Sequence, residues 1–171
     1  RTLLPVTTGL EPKATPQWDF TQRAELLVSG ITAQQVTDFV ARMDEACLNA
    51  MLFSLQQGGA LTHPDQGHDL PGILQQLQVA EAHHALIGRW LMLLADAGLV
   101  MQRGAHYFSR RTIGYTELHH SWQAVHRVWD NRLGSATFID YLWQNAEKLG
   151  ELMCGEQKAA LLLFPEGRND I

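Results

Sequence analysis

The sequence predicts a mainly α-helical domain that contains a winged-helix-like helix-turn-helix and a small β-hairpin. Apolar residues recur at helical spacing over most of the chain, which predicts several amphipathic helices. Two short runs of strand-forming residues meet at Arg103-Gly104, which predicts the hairpin. Between residues 69 and 111 the predicted order is helix, turn, helix and hairpin, and this order is that of a winged helix.

The N-terminal part of the chain divides into a linker and a helical segment. Residues 1–17 contain three prolines and show no periodicity, so we expect a linker. The segment 18–68 contains one long helix. Thr32 and Gln35 form a capping-box pattern at its start, and Gly58-Gly59 is expected to end it.

A polar loop at residues 63–68 is expected to precede the winged-helix-like unit, residues 69–111. Asp69 and Pro71 are typical first residues of a short helix. A second helix is predicted over 82–97, and Gly98 ends it. The predicted strands of the hairpin are residues 99–102 and 105–109.

Residues 112–171 are predicted to be helical again. Two sets of apolar residues mark two helices, each set on one face. The first set is Leu118, Trp122, Val125 and Trp129, and the second is Phe138, Leu142, Ala146, Leu149 and Met153. Gly134 is expected to separate the two helices, and Gly155 to end the second.

Composition restricts the class of protein. Of the 171 residues, 46% are hydrophobic and 18% are charged, as in an ordinary globular chain. No apolar run is long enough to span a membrane, and no secretory signal segment opens the chain, so we expect a cytoplasmic protein. Cys47 and Cys154 are expected to be small core residues in a reducing compartment.

The winged-helix pattern raises a DNA-binding hypothesis, which the charges disfavour. The net charge is −5, whereas nucleic-acid binders usually carry a basic face. The predicted second helix offers only Arg89, His83 and His84 beside Asp96, and base and phosphate contacts need more polar and cationic groups than these. The wing adds a modest cluster of cations, Arg103, Arg110 and Arg111. We therefore expect nucleic acid not to be the partner.

Patterns of catalysis and of metal binding are missing from the sequence. His119 and His126 would lie two helical turns apart, which is too far for one ion. The sequence contains no nucleophile elbow, no phosphate loop and no glycine-rich cofactor loop after a strand. We therefore predict no catalytic residue, no metal site and no cofactor site in this chain.

Two segments together resemble the N-terminal region of S-adenosylmethionine-dependent carbon methyltransferase domains from modular polyketide synthases and hybrid peptide synthetases. The first is residues 84–99, which the wing follows. The second is residues 149–167, similar to the family's segment that leads to the methyltransferase core. The resemblance covers roughly residues 73–171.

The resemblance implies a division of labour between this chain and a longer parent. In the family, a helical N-terminal portion forms a lid over a Rossmann-like core. The core binds S-adenosylmethionine and methylates the α-carbon of a β-ketoacyl chain, which a carrier protein holds through phosphopantetheine. Because the chain starts at Arg1 and ends in mid-motif at Ile171, we expect a fragment that lacks this core and is inactive alone. A metal-assisted loading-module methyltransferase would look the same over this segment.

Tyr115, His119 and Trp122 are the candidates for lining the substrate cleft, because they lie just after the wing on one helix. The alternative is that Trp122 packs in the core and that His119 is solvated. Two alternative functions also stay open. One is a docking or dimerisation module of the assembly line that forms a homodimer, and the other is a winged-helix DNA-binding regulator.

Overall fold

The structure, a computed structural model, describes residues 32–129 and 136–155. This part of the chain contains six α-helices, a 3-10 turn and three short strands. The helices are α1 Ala33–Gln57, α2 Leu70–Gln76, α3 His84–Asp96, α4 Tyr115–Trp129, α5 Ala136–Glu147 and α6 Leu149–Met153. The strands are β1 His68–Asp69, β2 Val100–Arg103 and β3 His106–Ser109, and the 3-10 turn is Glu81–His83. The mainly α-helical class is confirmed. The predictions for the linker 1–17, for Gly134 and for residues 156–171 lie outside the described residues.

Helix α1 begins and ends where its capping residues predict. The Thr32 hydroxyl accepts a hydrogen bond from the Gln35 amide at 3.2 Å, and the Gln35 side chain accepts one from the Thr32 amide at 2.9 Å. After Gly58 the chain turns at Gly59, whose φ of +88° suits glycine. The buried residues of α1 all lie in its second half, from Ala46 onward.

The two short helices of the winged-helix-like unit also follow their predicted signals. The Asp69 carboxylate accepts a hydrogen bond from the Gly72 amide at 2.9 Å and so caps α2, which has Pro71 in its first turn. Helix α3 ends at Asp96, two residues before Gly98, where φ is +75°. Ile87, Trp90, Leu91 and Leu94 form its buried face.

The small sheet has one strand more than the predicted hairpin. Its order is β1-β3-β2, and both pairings are antiparallel. The prediction of a polar loop through His68 was wrong at its last residue, because His68 pairs with Tyr107. Gly67 permits this approach, since a Cβ atom there would lie 2.6 Å from the Phe108 ring.

The turn of the hairpin lies one residue later than predicted. Arg103 pairs with His106, so the turn residues are Gly104 and Ala105, and Gly104 adopts a φ of +62°. Strand β2 is therefore residues 100–103 and not the predicted 99–102, and β3 begins at residue 106 and not at 105.

The C-terminal helices differ from the prediction at one point. Helix α4 is a single helix, as predicted, but the second predicted helix breaks at Lys148 into α5 and α6. The Lys148 amide bonds to the Asn145 carbonyl, three residues back, which tightens the turn there. The break redirects α6, so that Met153 is buried and its carbonyl accepts a hydrogen bond from the Ala80 amide at 2.9 Å.

The core lies where α1 packs against α4, with α3, α5 and the sheet around them. The largest fully buried side chains are Leu52, Leu55, Leu61, Ile73, Ile87, Leu91, Leu94, Leu118 and Ile139, together with Val100 and Val125. Within the described residues, no helix has the length and apolar character needed to cross a membrane.

One buried amide joins the end of α1 to the hairpin and to the start of α4. The Gln56 side chain donates to the carbonyl oxygens of Leu61 at 2.9 Å and Arg111 at 2.8 Å and to the Ser109 hydroxyl at 3.2 Å. Its own oxygen accepts a hydrogen bond from the Ile113 amide at 2.9 Å. Two of these backbone groups, the Leu61 carbonyl and the Ile113 amide, would otherwise be left unpaired among the surrounding apolar residues.

A row of aromatic side chains beside an apolar pocket

The three predicted cleft residues lie on one face of α4, at spacings of four and three residues. The rings of Tyr115 and His119 are nearly parallel, with centroids 6.2 Å apart. The Trp143 ring of α5 packs edge-on to the His119 ring, and the two ring centroids are 4.6 Å apart. The centroids of the Trp143 and Trp122 rings are 6.1 Å apart. The structure therefore brings the three predicted residues into one row, and Trp143 is a fourth member that the sequence analysis missed.

The row runs from solvent into the core. Tyr115 is 59% exposed, His119 is half-buried and Trp122 is 2% exposed. Trp122 is thus a core residue, as the alternative interpretation held, whereas His119 is not fully solvated. The role of the three residues in a substrate cleft stays a prediction.

The Tyr115 hydroxyl is tied to α5. It donates a hydrogen bond to the Glu147 carboxylate at 3.1 Å. This hydrogen bond, followed by the negative charge of Glu147 and a small desolvation, raises the pKa of Tyr115 above its ordinary value. The phenol is therefore protonated at neutral pH and serves as a hydrogen-bond donor, not as a base.

Two ring nitrogens in the row have no hydrogen-bond partner among the described residues. The Gln123 side-chain amide lies 3.0 Å from Nε2 of His119, whereas Nδ1 of the same ring is buried and unpaired. Nε1 of Trp122 is also buried and unpaired. An unpaired buried donor costs about 1–3 kcal/mol.

An apolar pocket of about 370 Å³ opens beside the row, and Trp122 belongs to both. Four helices and the start of a fifth surround it, since its walls come from α1, α3, α4, α5 and α6. Its main lining residues are Met43, Cys47, Met51, Leu86, Trp90, Trp122, Leu142 and Leu149, with Asn145 as a polar member. The volume lies in the range of small-molecule sites, and the lining suits an aliphatic or aromatic group.

The Cys47 thiol in this pocket has a low reactivity as a nucleophile. Burial, and then the negative charge of Asp44, raise the pKa of Cys47 above its ordinary value, so the thiol is neutral at physiological pH. Cys154 is also a free thiol and donates to the Leu77 carbonyl at 3.1 Å. Both cysteines are partly buried, where the sequence predicted core positions.

Within residues 32–129 and 136–155, no group of three or more His, Cys, Asp or Glu side chains is close enough together to bind a metal ion. His126 instead lies 3.6 Å from the Asp140 carboxylate, which joins α4 to α5. In the described part of the chain, the site therefore consists of apolar and aromatic surface with a few hydrogen-bond donors.

Two solved structures share this fold. The CurJ carbon methyltransferase matches with a TM-score of 0.69 and 20% sequence identity, over 86% of this chain and 39% of its own. The DszA carbon methyltransferase matches with a TM-score of 0.64 and 20% identity, over 86% of this chain and 38% of its own. The predicted resemblance to carbon methyltransferases is confirmed. The likeness shows that this chain has the fold of part of such enzymes.

Sequence similarity leads to a much longer protein. Over 128 residues, which are 75% of its length, this chain is 30% identical to the pyochelin synthetase PchF of two strains of Pseudomonas aeruginosa. The chain spans only 7% of the length of these relatives. No protein-family model matches the chain.

Proposed function

We propose that the chain is the lid or adaptor part of a carbon methyltransferase domain in a polyketide synthase or hybrid peptide synthetase, and that it contributes no catalytic group. The likeness of fold to two carbon methyltransferases, over 86% of the chain, carries this proposal. The chain covers less than two fifths of either enzyme, so the remaining part of the parent would hold the reaction centre.

The cofactor of the parent would be S-adenosylmethionine, which supplies the methyl group. The described residues of this chain offer no glycine-rich loop after a strand, and the walls of the apolar pocket carry no acidic side chain. They do not fit the charged cofactor. The parent's core would therefore bind it and would also hold the base that removes the α-proton of the acyl group.

The apolar pocket is the part of the chain that we assign to the substrate. We propose that it accepts the hydrocarbon part of an acyl group, which phosphopantetheine attaches to a carrier protein. Met51 and Leu142 would contact the hydrocarbon, because burial of apolar surface favours such a complex. Tyr115, His119 and Trp122 would line the cleft that leads to it and would exclude water.

The proposal also covers the winged-helix-like unit, residues 69–111. Within this unit, α2, α3, β2 and β3 follow one another in the order helix, helix and hairpin, which supports this assignment. Since α3 exposes Met92 and Leu93, we propose that the unit serves packing within the parent and does not read DNA.

Methyl transfer by the parent polypeptide tests the proposal. The gene region after Ile171 should encode an acidic residue and a glycine-rich loop behind a strand, and the longer protein should transfer methyl from labelled S-adenosylmethionine to a carrier-bound β-ketoacyl chain. The present chain alone should transfer none. A downstream region without such a motif, or a longer protein without methyl transfer, would refute the proposal.

The pocket assignment has a separate test with a matched control. Met51→Trp fills the pocket, whereas Val40→Trp adds a Trp side chain at an exposed position on α1 that does not line the pocket. In the parent, we expect Met51→Trp to lower kcat/KM about tenfold or more for long acyl chains and little for short ones, because about 0.8 kcal/mol is lost per CH₂ group that leaves the pocket. Val40→Trp should change kcat/KM little for either chain length. Equal effects of the two variants would show that the pocket does not hold the acyl chain.

The exposed side chains of Met92 and Leu93, at 58% and 43%, also favour a second candidate function. In this alternative, the chain is a dimerisation or docking module of the assembly line. Sedimentation velocity of the chain should then show a concentration-dependent dimer that Leu93→Glu abolishes. A monomer at all concentrations would exclude the homodimer.

A further inference from the structure

The outer face of the hairpin carries two cations with an apolar pair between them. Met101 and Phe108 are directly paired across β2 and β3. The guanidinium of Arg103 lies over the Phe108 ring, 5.6 Å from its centroid, and that of Arg110 lies 3.7 Å from the Met101 sulfur. We call these four residues the hairpin stripe. It does not line the apolar pocket, so its role is independent of the substrate site proposed above.

Neither cation of the hairpin stripe has an acidic partner among the described residues. The nearby Arg111 differs, because it pairs with Glu117. Arg103 and Arg110 are both exposed, in a chain whose net charge is −5. Asp69, the acid on the adjoining strand, is engaged as the cap of α2. Two uncompensated cations therefore stand together on one face of an acidic chain.

The spacing of the two cations can be worked out from the strand register. Arg103 is paired with His106, and Arg110 lies four residues further along the same strand direction. At about 3.3 Å per residue, the two backbone positions are roughly 13 Å apart. Both side chains extend inward over the apolar pair, so the two guanidinium groups lie closer together than the backbone positions do. A complementary surface therefore presents two negative groups less than about 13 Å apart, next to apolar groups.

An α-helix of another protein domain matches this pattern. Acidic residues at positions i and i+7 lie on one side of a helix about 10.5 Å apart, and positions i+3 and i+4 lie between them on the same side. This separation is shorter than the roughly 13 Å between the two arginine backbone positions, which agrees with the inward direction of both guanidinium groups. The backbone of duplex DNA, by contrast, presents closely spaced charges and no apolar group for Met101 and Phe108.

We propose that the hairpin stripe docks an acidic amphipathic helix of another domain, with Arg103 and Arg110 pairing with carboxylates and the Met101–Phe108 pair contacting apolar side chains. Two exposed charge pairs and a small apolar patch bind weakly, with a Kd on the order of 100 µM. Such affinity is sufficient inside a long multidomain chain, where a tethered partner has an effective concentration in the millimolar range. The relatives of this chain, of which it spans 7%, are long enough to provide such a partner.

The test uses the whole chain and a cross-linked helical peptide of roughly 15 residues with Glu, Leu, Leu and Glu at positions i, i+3, i+4 and i+7. Binding is measured by fluorescence anisotropy, and a peptide with Lys in place of both Glu residues is the charge control. We expect the acidic peptide to bind, the Lys peptide not to bind at about 1 mM, and the affinity to fall several-fold between about 50 and 300 mM salt.

Charge reversal assigns the site. The double variant Arg103→Glu/Arg110→Glu should bind the acidic peptide at least about tenfold more weakly. The matched control is Arg89→Glu/Arg127→Glu, which makes the same change of net charge on α3 and α4 and should leave binding unchanged. If the first variant is misfolded by circular dichroism, Arg103→Gln/Arg110→Gln replaces it.

Three results would overturn the proposal. The first is no binding of the acidic peptide at about 1 mM. The second is binding that both double variants weaken equally. The third is salt-dependent binding of a DNA duplex, lost in Arg103→Glu/Arg110→Glu, without binding of the peptide, which would make the hairpin stripe a nucleic-acid surface.

Discussion

Replacement of Gln56 by alanine should destabilise the fold more than any other loss of a single polar side chain in the described residues. The side chain is 8% exposed and holds four hydrogen bonds. In the alanine variant, the Arg111 carbonyl keeps its bond from the Ser109 hydroxyl at 2.7 Å. The Leu61 carbonyl and the Ile113 amide lose the Gln56 partner, and both belong to buried residues.

The size of the effect follows from these two orphaned groups. Each unpaired buried backbone group costs about 1–3 kcal/mol, so we expect a loss of roughly 3–5 kcal/mol in the free energy of unfolding. With a urea dependence of about 2 kcal/mol per molar, the midpoint of unfolding should fall by about 2 M. This is a large share of the 5–15 kcal/mol that is typical of a folded domain.

Urea unfolding, followed by circular dichroism and by tryptophan fluorescence, measures the difference. The matched control is Gln57→Ala, which removes the same side chain from the next, exposed position and should change the free energy by less than about 0.5 kcal/mol. The variant Gln56→Met keeps the length of the side chain and removes its polar atoms. If Gln56→Ala and Gln57→Ala unfold at the same urea concentration, the reasoning from orphaned backbone groups is wrong.

Three further variants test the packing and the aromatic row. Gly67→Ala should destabilise the fold by about 1–3 kcal/mol in urea unfolding, because the added methyl group meets the Phe108 ring at 2.6 Å. In an ultraviolet difference titration, the pKa of Tyr115 should lie above the ordinary tyrosine value, and Glu147→Gln should lower it. The hydrogen bond to Glu147 is intact below the ordinary tyrosine pKa and is lost as the pH rises through the raised pKa of Tyr115. Trp122→Phe should change stability by less than about 1 kcal/mol, because the smaller ring also removes an unpaired N–H group.

Each of these predictions has its own control. Gly114→Ala should be nearly neutral in unfolding, since nothing lies within 4 Å of a Cβ atom there. An equal loss in both glycine variants would contradict the contact with Phe108. Tyr115→Phe identifies the titration of this residue among the three tyrosines of the chain. Trp122→Ala should cost about 3–5 kcal/mol, because it leaves a cavity; if Trp122→Phe costs as much, the indole N–H is not a liability.

Local signals in the sequence predicted the local features well. The capping box at Thr32 and Gln35, the Asp69 cap and the glycine after α3 depend on residues within one helical turn of each other, and all are confirmed. Strand β1 depends instead on pairing with β3, about 40 residues later, and its two residues carry no period of their own. The register of distant strands, and the turn shift at Gly104, could not be read from local composition.

The same limit applies to the candidate site. The spacing on α4 placed Tyr115, His119 and Trp122 on one face, and the structure agrees. Trp143 and Glu147 come from α5, and only the packing angle of that helix on α4 decides that they meet the row. Periodicity had marked Leu142 as the inward residue of α5; Trp143, its neighbour, is also partly buried, because an apolar helix face is wider than one residue.

Helix α1 also has a consequence for the synthesis of the protein. Its main packing partner, α4, begins at Tyr115. The amide of Ile113, which donates a hydrogen bond to Gln56, is synthesised 57 residues after Gln56. At about 5–20 residues per second, the ribosome takes roughly 3–11 s to make that stretch. During these seconds α4 cannot pack against Leu52 and Leu55, which are completely buried in the folded chain. We therefore expect nascent chains that stall before Ile113 to be the species that chaperones bind or that aggregate.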